Sequence, residues 1–369
     1  VRGICVWKKG ERKLIDLQTY GYRETQSLPE GLIPGRVTEL RRERYTVMTA
    51  YGETAATLKG KFYYDNQERS DYPCVGDFVL LSYNETGVSR IAGLLSRRSK
   101  FSRADFSGHA VGYVKTILEQ VVAANFDTVF ILSSLNSDFN VSRIQRYLTQ
   151  ARQSGAQPVV VLTKADLAAD TEQAVADVLA IAPDVPVHAI SSYTGYGLDA
   201  LAHYLQPAQT VVFLGMSGVG KSSLLNTLMQ KTVMEVREIR QDDSRGRHTT
   251  THRQLFRLPS GAMVIDTPGM RELGLFDVDE GISSGFADVE ALFSHCRFSD
   301  CRHQSEPGCA VTAALADGSL SRERWESYLS QQRENKFVDG KAAYLAARRA
   351  KGKAIALQTK ALQKNGRIK

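Results

Sequence analysis

Between residues 126 and 266 the chain repeats one alternation of apolar and polar positions. Short β-branched runs are followed by longer stretches with apolar residues at helical spacing. "FDTVFILSS" (126–134), "PVVVL" (158–162), "VPVHAISS" (185–192), "TVVFLG" (210–215) and "AMVID" (262–266) are the short runs. "VSRIQRYLTQARQSG" (141–155), "TEQAVADVLAIA" (171–182) and "KSSLLNTLM" (221–229) are the helical ones. Near-continuous apolar strands alternating with helices predict a doubly wound, mostly parallel sheet. Upstream the period changes. Over 35–64, Val, Tyr and Thr alternate with polar residues, and "CVGDFVLLSY" (74–83) adds a further strand. Short strands with Gly and Asn turns fit a small five-stranded barrel of the OB type. These changes divide the chain into an extension (1–30), a barrel (31–100), an α/β domain (101–285) and a C-terminal domain (286–369).

The first chemistry lies after the strand at 210–214. "GMSGVGKSS" carries Gly215, Met216, Ser217, Gly218, Val219, Gly220, Lys221, Ser222 and Ser223 in the spacing G-x-x-x-x-G-K-[ST]. A glycine loop between strand and helix turns successive backbone N–H groups inward, and the helix N-terminus adds a favourable dipole for phosphate. Lys221 would reach the outer phosphates and the Ser222 hydroxyl would ligate Mg²⁺. In "AMVIDTPGM" (262–270) a strand ends in Asp266 and leads into Gly269. Such an aspartate can hold Mg²⁺ through water, and such a glycine N–H can sense a γ-phosphate. Between the two motifs lies "RGRHTTTHR" (245–253). One of Thr249, Thr250 or Thr251 would complete the Mg²⁺ shell, with Thr250 as the working assignment.

"TKAD", Thr163, Lys164, Ala165 and Asp166, ends another strand. Carboxyl ends of parallel strands are where such sheets bind ligands. Asp166 can accept from both the N1–H and the exocyclic amine of guanine, a pair adenine does not offer. Lys164 would lay its stem along the base, and Ser191 and Ser192 would face the guanine O6. These elements precede the phosphate loop, whereas a GTPase ordinarily places them after it. A circular permutation preserves sheet and site while moving the termini to a surface loop.

"HCRFSDCRHQSEPGC" (295–309) places Cys296, Cys301, His303 and Cys309 in the spacing C-x₄-C-x-H-x₅-C. Three thiolates and one imidazole are a closed tetrahedral Zn²⁺ set of the structural kind, with His295 a less favoured neighbour. Three of the five cysteines fall in this segment, which favours metal over disulfides. Cys5 and Cys74 stand apart, as packing residues.

The permuted order, "GRHTTT", "DTPG" and the downstream Cys/His cluster together resemble the small-ribosomal-subunit biogenesis GTPases of the RsgA/YjeQ family, from about residue 30 onward. The resemblance implies an OB-like barrel, a permuted GTPase domain and a zinc-bearing helical domain. It implies hydrolysis of GTP to GDP and phosphate, with the maturing small subunit and its rRNA as partner. It also gives His248 a catalytic role. The place that holds a water-orienting Gln in many GTPases is Met270, which cannot hydrogen-bond, so unaided turnover should be slow. Thr163 departs from the usual Asn of the base-reading motif, which predicts weaker base affinity with guanine selection kept by Asp166.

Composition adds a polyanion. The net charge is +7, and residues 340–369 hold nine Lys or Arg and no acid, in Ala- and Leu-rich helical proportions. "LRRERY" and "SRRSKFSR" (96–103) give the barrel basic loops suited to RNA. No apolar run of membrane-spanning length occurs, and the first residues do not form a secretory signal, so a cytoplasmic protein is expected, with a monomer as the default. Two other readings are an RNA-binding module with incidental hydrolysis and an ATP-dependent P-loop enzyme; "TKAD" opposes the second.

Overall fold

The computed structural model describes residues 14–24, 27–41, 44–60, 62, 69–105, 118–136, 139–234, 253–266 and 279–335. His248, Thr249, Thr250, Thr251, Gly269, Met270, Cys5 and the basic tail lie outside them.

Five strands form the barrel: β1 (Ile33–Arg41), β2 (Arg44–Thr49), β3 (Gly52–Leu58), β4 (Phe78–Ser82) and β5 (Ser89–Leu94). Their order is β1-β2-β3-β5-β4, and β4 pairs back onto β1 to close it. The β3–β5 pair is parallel and the others antiparallel. Alternate residues Val37, Tyr45, Val47, Val79, Leu81 and Ile91 fill the interior, as the period of two predicts. A hairpin of β6 (Lys100–Asp105) and β7 (Leu118–Ala124) follows.

The α/β domain then runs β8 (Thr128–Ser134), α1 (Val141–Gln153), β9 (Gln157–Thr163), α2 (Thr171–Ile181), β10 (Val187–Ala189), β11 (Thr210–Leu214), α3 (Lys221–Met229), β12 (Arg253–Arg257) and β13 (Met263–Asp266). Strand order is β10-β9-β8-β11-β13-β12, parallel except for β12. Each central strand is buried on both faces. Ile131, Val160, Leu162 and Val212 face α1 and α2, while Phe130, Val159, Val161 and Phe213 face α3. That two-sided burial explains why these strands read as continuous apolar runs.

The barrel and this sheet are one sheet. A register shift between Val37 and Glu39 re-aims β1, so that Glu39 and Leu40 pair with Gln254 and Arg253 of β12. Below this joint Arg36 is fully buried. Its guanidinium donates to the carbonyls of Tyr20 (2.6 Å), Asn125 (2.8 Å) and Gly76 (3.3 Å) and to Thr210 Oγ1 (3.0 Å). It thereby ties the barrel to the base of β11.

Residues 14–24, part of the extension to which the sequence assigned no role, lie across this junction. Leu17 is buried, Arg23 pairs with Asp127 (3.0 Å), and the Tyr22 ring meets Phe78 edge-on. Three cations of the basic stretch 96–103 are paired within the protein. Arg97 is bound to Asp77 and to the carbonyls of Ser70 and Tyr72, Arg98 to Asp127, and Lys100 to Glu119. Of these, Arg98 reaches the junction, where it also donates to the Gly21 carbonyl at 3.4 Å.

The C-terminal domain comprises α4 (Asp279–Gly285), α5 (Ala287–Ala291), α6 (Ala310–Asp317) and a helix α7 over 322–335. Ile282, Phe286, Val311, Trp325 and Tyr328 form its core. It docks on α1 through Gly281, where a Cβ would stand 2.2 Å from the Thr149 carbonyl. Only a glycine permits that approach. Arg324 spans the same joint, with both Asp288 oxygens at 2.6 Å, the Gly285 carbonyl at 3.0 Å and Gln145 Oε1 of α1 at 3.4 Å.

Candidate functional site: a phosphate loop, a base-reading loop and a metal cluster

The loop 215–220 joins β11 to α3, as its sequence predicts. At Gly215 φ is +155°, and a Cβ would stand 2.5 Å from the Leu132 carbonyl, so the loop lies hard against β8. Gly218 and Gly220 also take positive φ. Lys221 opens α3 and folds back over the loop, with Nζ donating to the carbonyls of Gly215 (2.6 Å) and Met216. Ser222 and Ser223 follow in the first turn of the same helix.

Thr163 ends β9 and is buried. Its hydroxyl donates to the Val219 carbonyl at 2.5 Å. The sequence puts Thr163 in the base-reading motif; in the fold its hydroxyl also links that motif to the glycine loop. Lys164 takes the left-handed conformation (φ 60°), and Ala165–Leu167 form a single 3₁₀ turn. The Ala165 N–H bonds the Ile190 carbonyl (3.0 Å), bringing the loops after β9 and β10 together. There Ser191 Oγ donates to Asp166 Oδ1 at 2.5 Å while accepting from the N–H groups of Tyr193 and Thr194. Ser192 is the next residue of that turn. The carboxyl ends of β9, β10 and β11 thus converge, bringing residues 163–166, 191–192 and 215–223 into one locus.

Asp266 ends β13, on the other side of β11. It is 7% exposed, and burial raises its pKa, opposed in part by the charge of Lys221. A buried carboxylate that resists ionisation alone suits a divalent cation, which would restore its charge.

Ligand atoms of Cys296, Cys301, His303 and Cys309 lie within 4.8 Å of one another. His303 Nδ1 is 3.5 Å from Cys296 Sγ and 3.6 Å from Cys309 Sγ. Bonds of about 2.0 to 2.3 Å at a tetrahedral ion give edges of roughly 3.6 Å, so the cluster fits Zn²⁺. His303 reaches the cluster from a left-handed backbone (φ 58°) and stacks on Phe293 at 4.3 Å. Cys309 caps α6, its Sγ accepting from Thr312 N at 3.4 Å, a helix-terminal place that favours thiolate. His295 turns away: its Nδ1 lies 2.9 Å from the Ala291 carbonyl. Cys74, apart from all this, is buried beside Val121 and Ala124.

The RsgA GTPase family model matches residues 94–276. The small ribosomal subunit biogenesis GTPase RsgA 2 of Lactiplantibacillus plantarum is 46% identical over 83% of this chain and 84% of its own. RsgA of Opitutus terrae is 44% identical over 84% and 85%. Among solved structures, YjeQ from Thermotoga maritima superposes with a TM-score of 0.60 at 28% identity, over 82% of this chain and 98% of that one. YloQ, a circularly permuted GTPase, shares the fold with a TM-score of 0.55 at 24% identity, over 83% and 95%. With the phosphate loop behind the base-reading strands in sequence and between them and β13 in space, the chain belongs to the RsgA family of circularly permuted GTPases.

Proposed function

We propose that this GTPase acts in late maturation of the small ribosomal subunit, and that hydrolysis of GTP to GDP and phosphate controls its release. The observation that supports the reading is the Thr163–Val219 hydrogen bond, which joins the end of the TKAD strand to the glycine loop. Asp166, oriented by Ser191, accepts from the guanine edge; Lys164 covers the base; the N–H groups of 216–222 and Lys221 take the phosphates. Lys221 must then leave the carbonyls of Gly215 and Met216. Mg²⁺, held by Ser222 and Thr250 with Asp266 behind, would neutralise charge on the β- and γ-phosphates. Gly269 would sense the γ-phosphate.

His248 orients the attacking water in this reading, since Met270 offers no hydrogen bond. Contact with the particle would bring His248 into play, so that turnover is fast only when bound. Cys296, Cys301, His303 and Cys309 would hold a Zn²⁺ of the structural kind, between α5 and α6. Among the described residues no helix is long and apolar enough to cross a membrane. A cytoplasmic monomer meeting rRNA is the corresponding setting.

Co-sedimentation with purified small subunits tests this function. Retention with a non-hydrolysable GTP analogue and release with GDP is the expected result. Equal retention with either nucleotide would favour the alternative, an RNA-binding module whose hydrolysis is incidental.

A further inference from the structure

The cysteine-rich loop presents a side chain that its metal does not need. Phe298 lies between Cys296 and Cys301 and is 43% exposed, and it belongs to none of the apolar clusters among the described residues. Its neighbour in the sequence of rings, Phe293, packs instead against His303, Trp325 and Tyr328. A single exposed aromatic is ordinary on a protein surface. What sets Phe298 apart is the construction around it.

The Arg297 guanidinium stands over the Phe298 ring, 5.5 Å from its centroid. The Arg297 backbone N–H bonds the Gly308 carbonyl at 3.0 Å, and its Cβ lies 3.0 Å from where a Gly308 side chain would begin. The Cys301 N–H bonds the Phe298 carbonyl, closing a turn between two candidate metal ligands. Arg302, also exposed, follows Cys301. The carboxylate of Glu306 is occupied within the loop, accepting from the backbone N–H groups of Arg302 (3.0 Å), Gln304 (2.9 Å) and Ser305 (3.0 Å). Neither Arg297 nor Arg302 forms an ion pair among the described residues. An exposed ring on a backbone fixed at both ends, with a guanidinium over it and a second nearby, is the arrangement that stacks an unpaired base and takes its phosphates. The same domain continues into 340–369, with nine cations and no acid, which makes a polyanion the matching partner.

We propose that Phe298, Arg297 and Arg302 form a single-stranded RNA contact, with a base stacked on Phe298 and adjacent phosphates on the two arginines. The proposal deepens the ribosomal reading above by naming the face of the C-terminal domain that meets RNA. Asp300, exposed in the same loop, opposes the contact.

The test uses the full-length, zinc-loaded protein and a fluorescein-labelled oligouridine, with small subunits in parallel. Phe298→Ala weakens oligouridine binding at least about fivefold, and Phe298→Tyr restores it. Arg297→Gln and Arg302→Gln each flatten the dependence of log affinity on log salt by about 0.7. Asp300→Asn tightens binding. Zinc content and basal GTP hydrolysis match the parent in every variant, which separates a lost contact from a lost fold. Phe298→Ala binding within twofold of the parent, with zinc retained, overturns the proposal. Loss of subunit binding with unchanged oligouridine binding also overturns it, and assigns the face to a ribosomal protein. Phe298-dependent oligouridine binding without any subunit binding upholds the contact and removes the ribosomal reading instead.

Discussion

The Thr163 hydroxyl and the Val219 carbonyl are joined across 56 positions of sequence by a 2.5 Å hydrogen bond. One end belongs to the motif proposed to read the base and the other to the loop proposed to cradle phosphate. The bond therefore acts on the site as a whole. Thr163→Val leaves a buried carbonyl without its donor, a loss of about 1–2 kcal/mol. GDP and GTP affinity should fall together, by roughly five- to thirtyfold, with guanine still preferred over adenine. Thr163→Ser should bind as the parent does. Fluorescent-nucleotide titration reads all three; a loss confined to GTP would contradict this role.

Asp266 supplies a pH test. Its pKa is raised by burial, with Lys221 opposing, so the fold holds the carboxyl proton more tightly than the unfolded chain does. The sign follows from proton linkage. At neutral pH the ionised, metal-free carboxylate is a penalty, and that penalty is relieved as pH falls through the raised value. Asp266→Asn removes the penalty. In EDTA without nucleotide, the variant should melt above the parent at pH 7, and the gap should close on acidification. With Mg²⁺ and GDP the order should reverse. Melting curves across pH, with and without Mg²⁺–GDP, check both.

Arg36 joins two domains through carbonyls of three separate segments. Arg36→Met strands those acceptors at a cost of about 3 kcal/mol or more. Calorimetry should show a lower melting temperature and separation of barrel from GTPase unfolding. Arg36→Lys should not rescue it, since an ammonium cannot span the acceptors that a planar guanidinium reaches.

Cys301→Ser should abolish the fit of the cluster to Zn²⁺. Zinc content should fall, and residues around α5, α6 and α7 should exchange amide hydrogens faster. The core of β8, β9 and β11 should remain protected, because its apolar packing involves none of the cluster. Amide exchange by mass spectrometry reads each region separately.

Much of this architecture was legible in local pattern. β8, β9 and β11 read as buried strands because both faces are covered, and Gly215–Ser222 fixed strand, loop and helix together. The four candidate ligands at 296–309 carry their spacing in the sequence itself. What escaped was long-range polar chemistry. Nothing local marks Arg36 as a buried interdomain donor, since its partners come from residues 20, 76, 125 and 210. Residues 14–24 gave no signal because their partners are the ends of distant strands. Nor does the run 96–103 announce that Arg97, Arg98 and Lys100 pair with Asp77, Asp127 and Glu119. Thr163 ends its strand where the sequence put it, but its bond to Val219 is a property of the folded sheet that no local pattern shows.

The central claim is tested most directly by hydrolysis of GTP and of ATP, with and without purified small ribosomal subunits at physiological salt. The account predicts slow GTP turnover alone, stimulation by orders of magnitude on adding subunits, and negligible ATP turnover throughout. GTP turnover that subunits leave unchanged would contradict it.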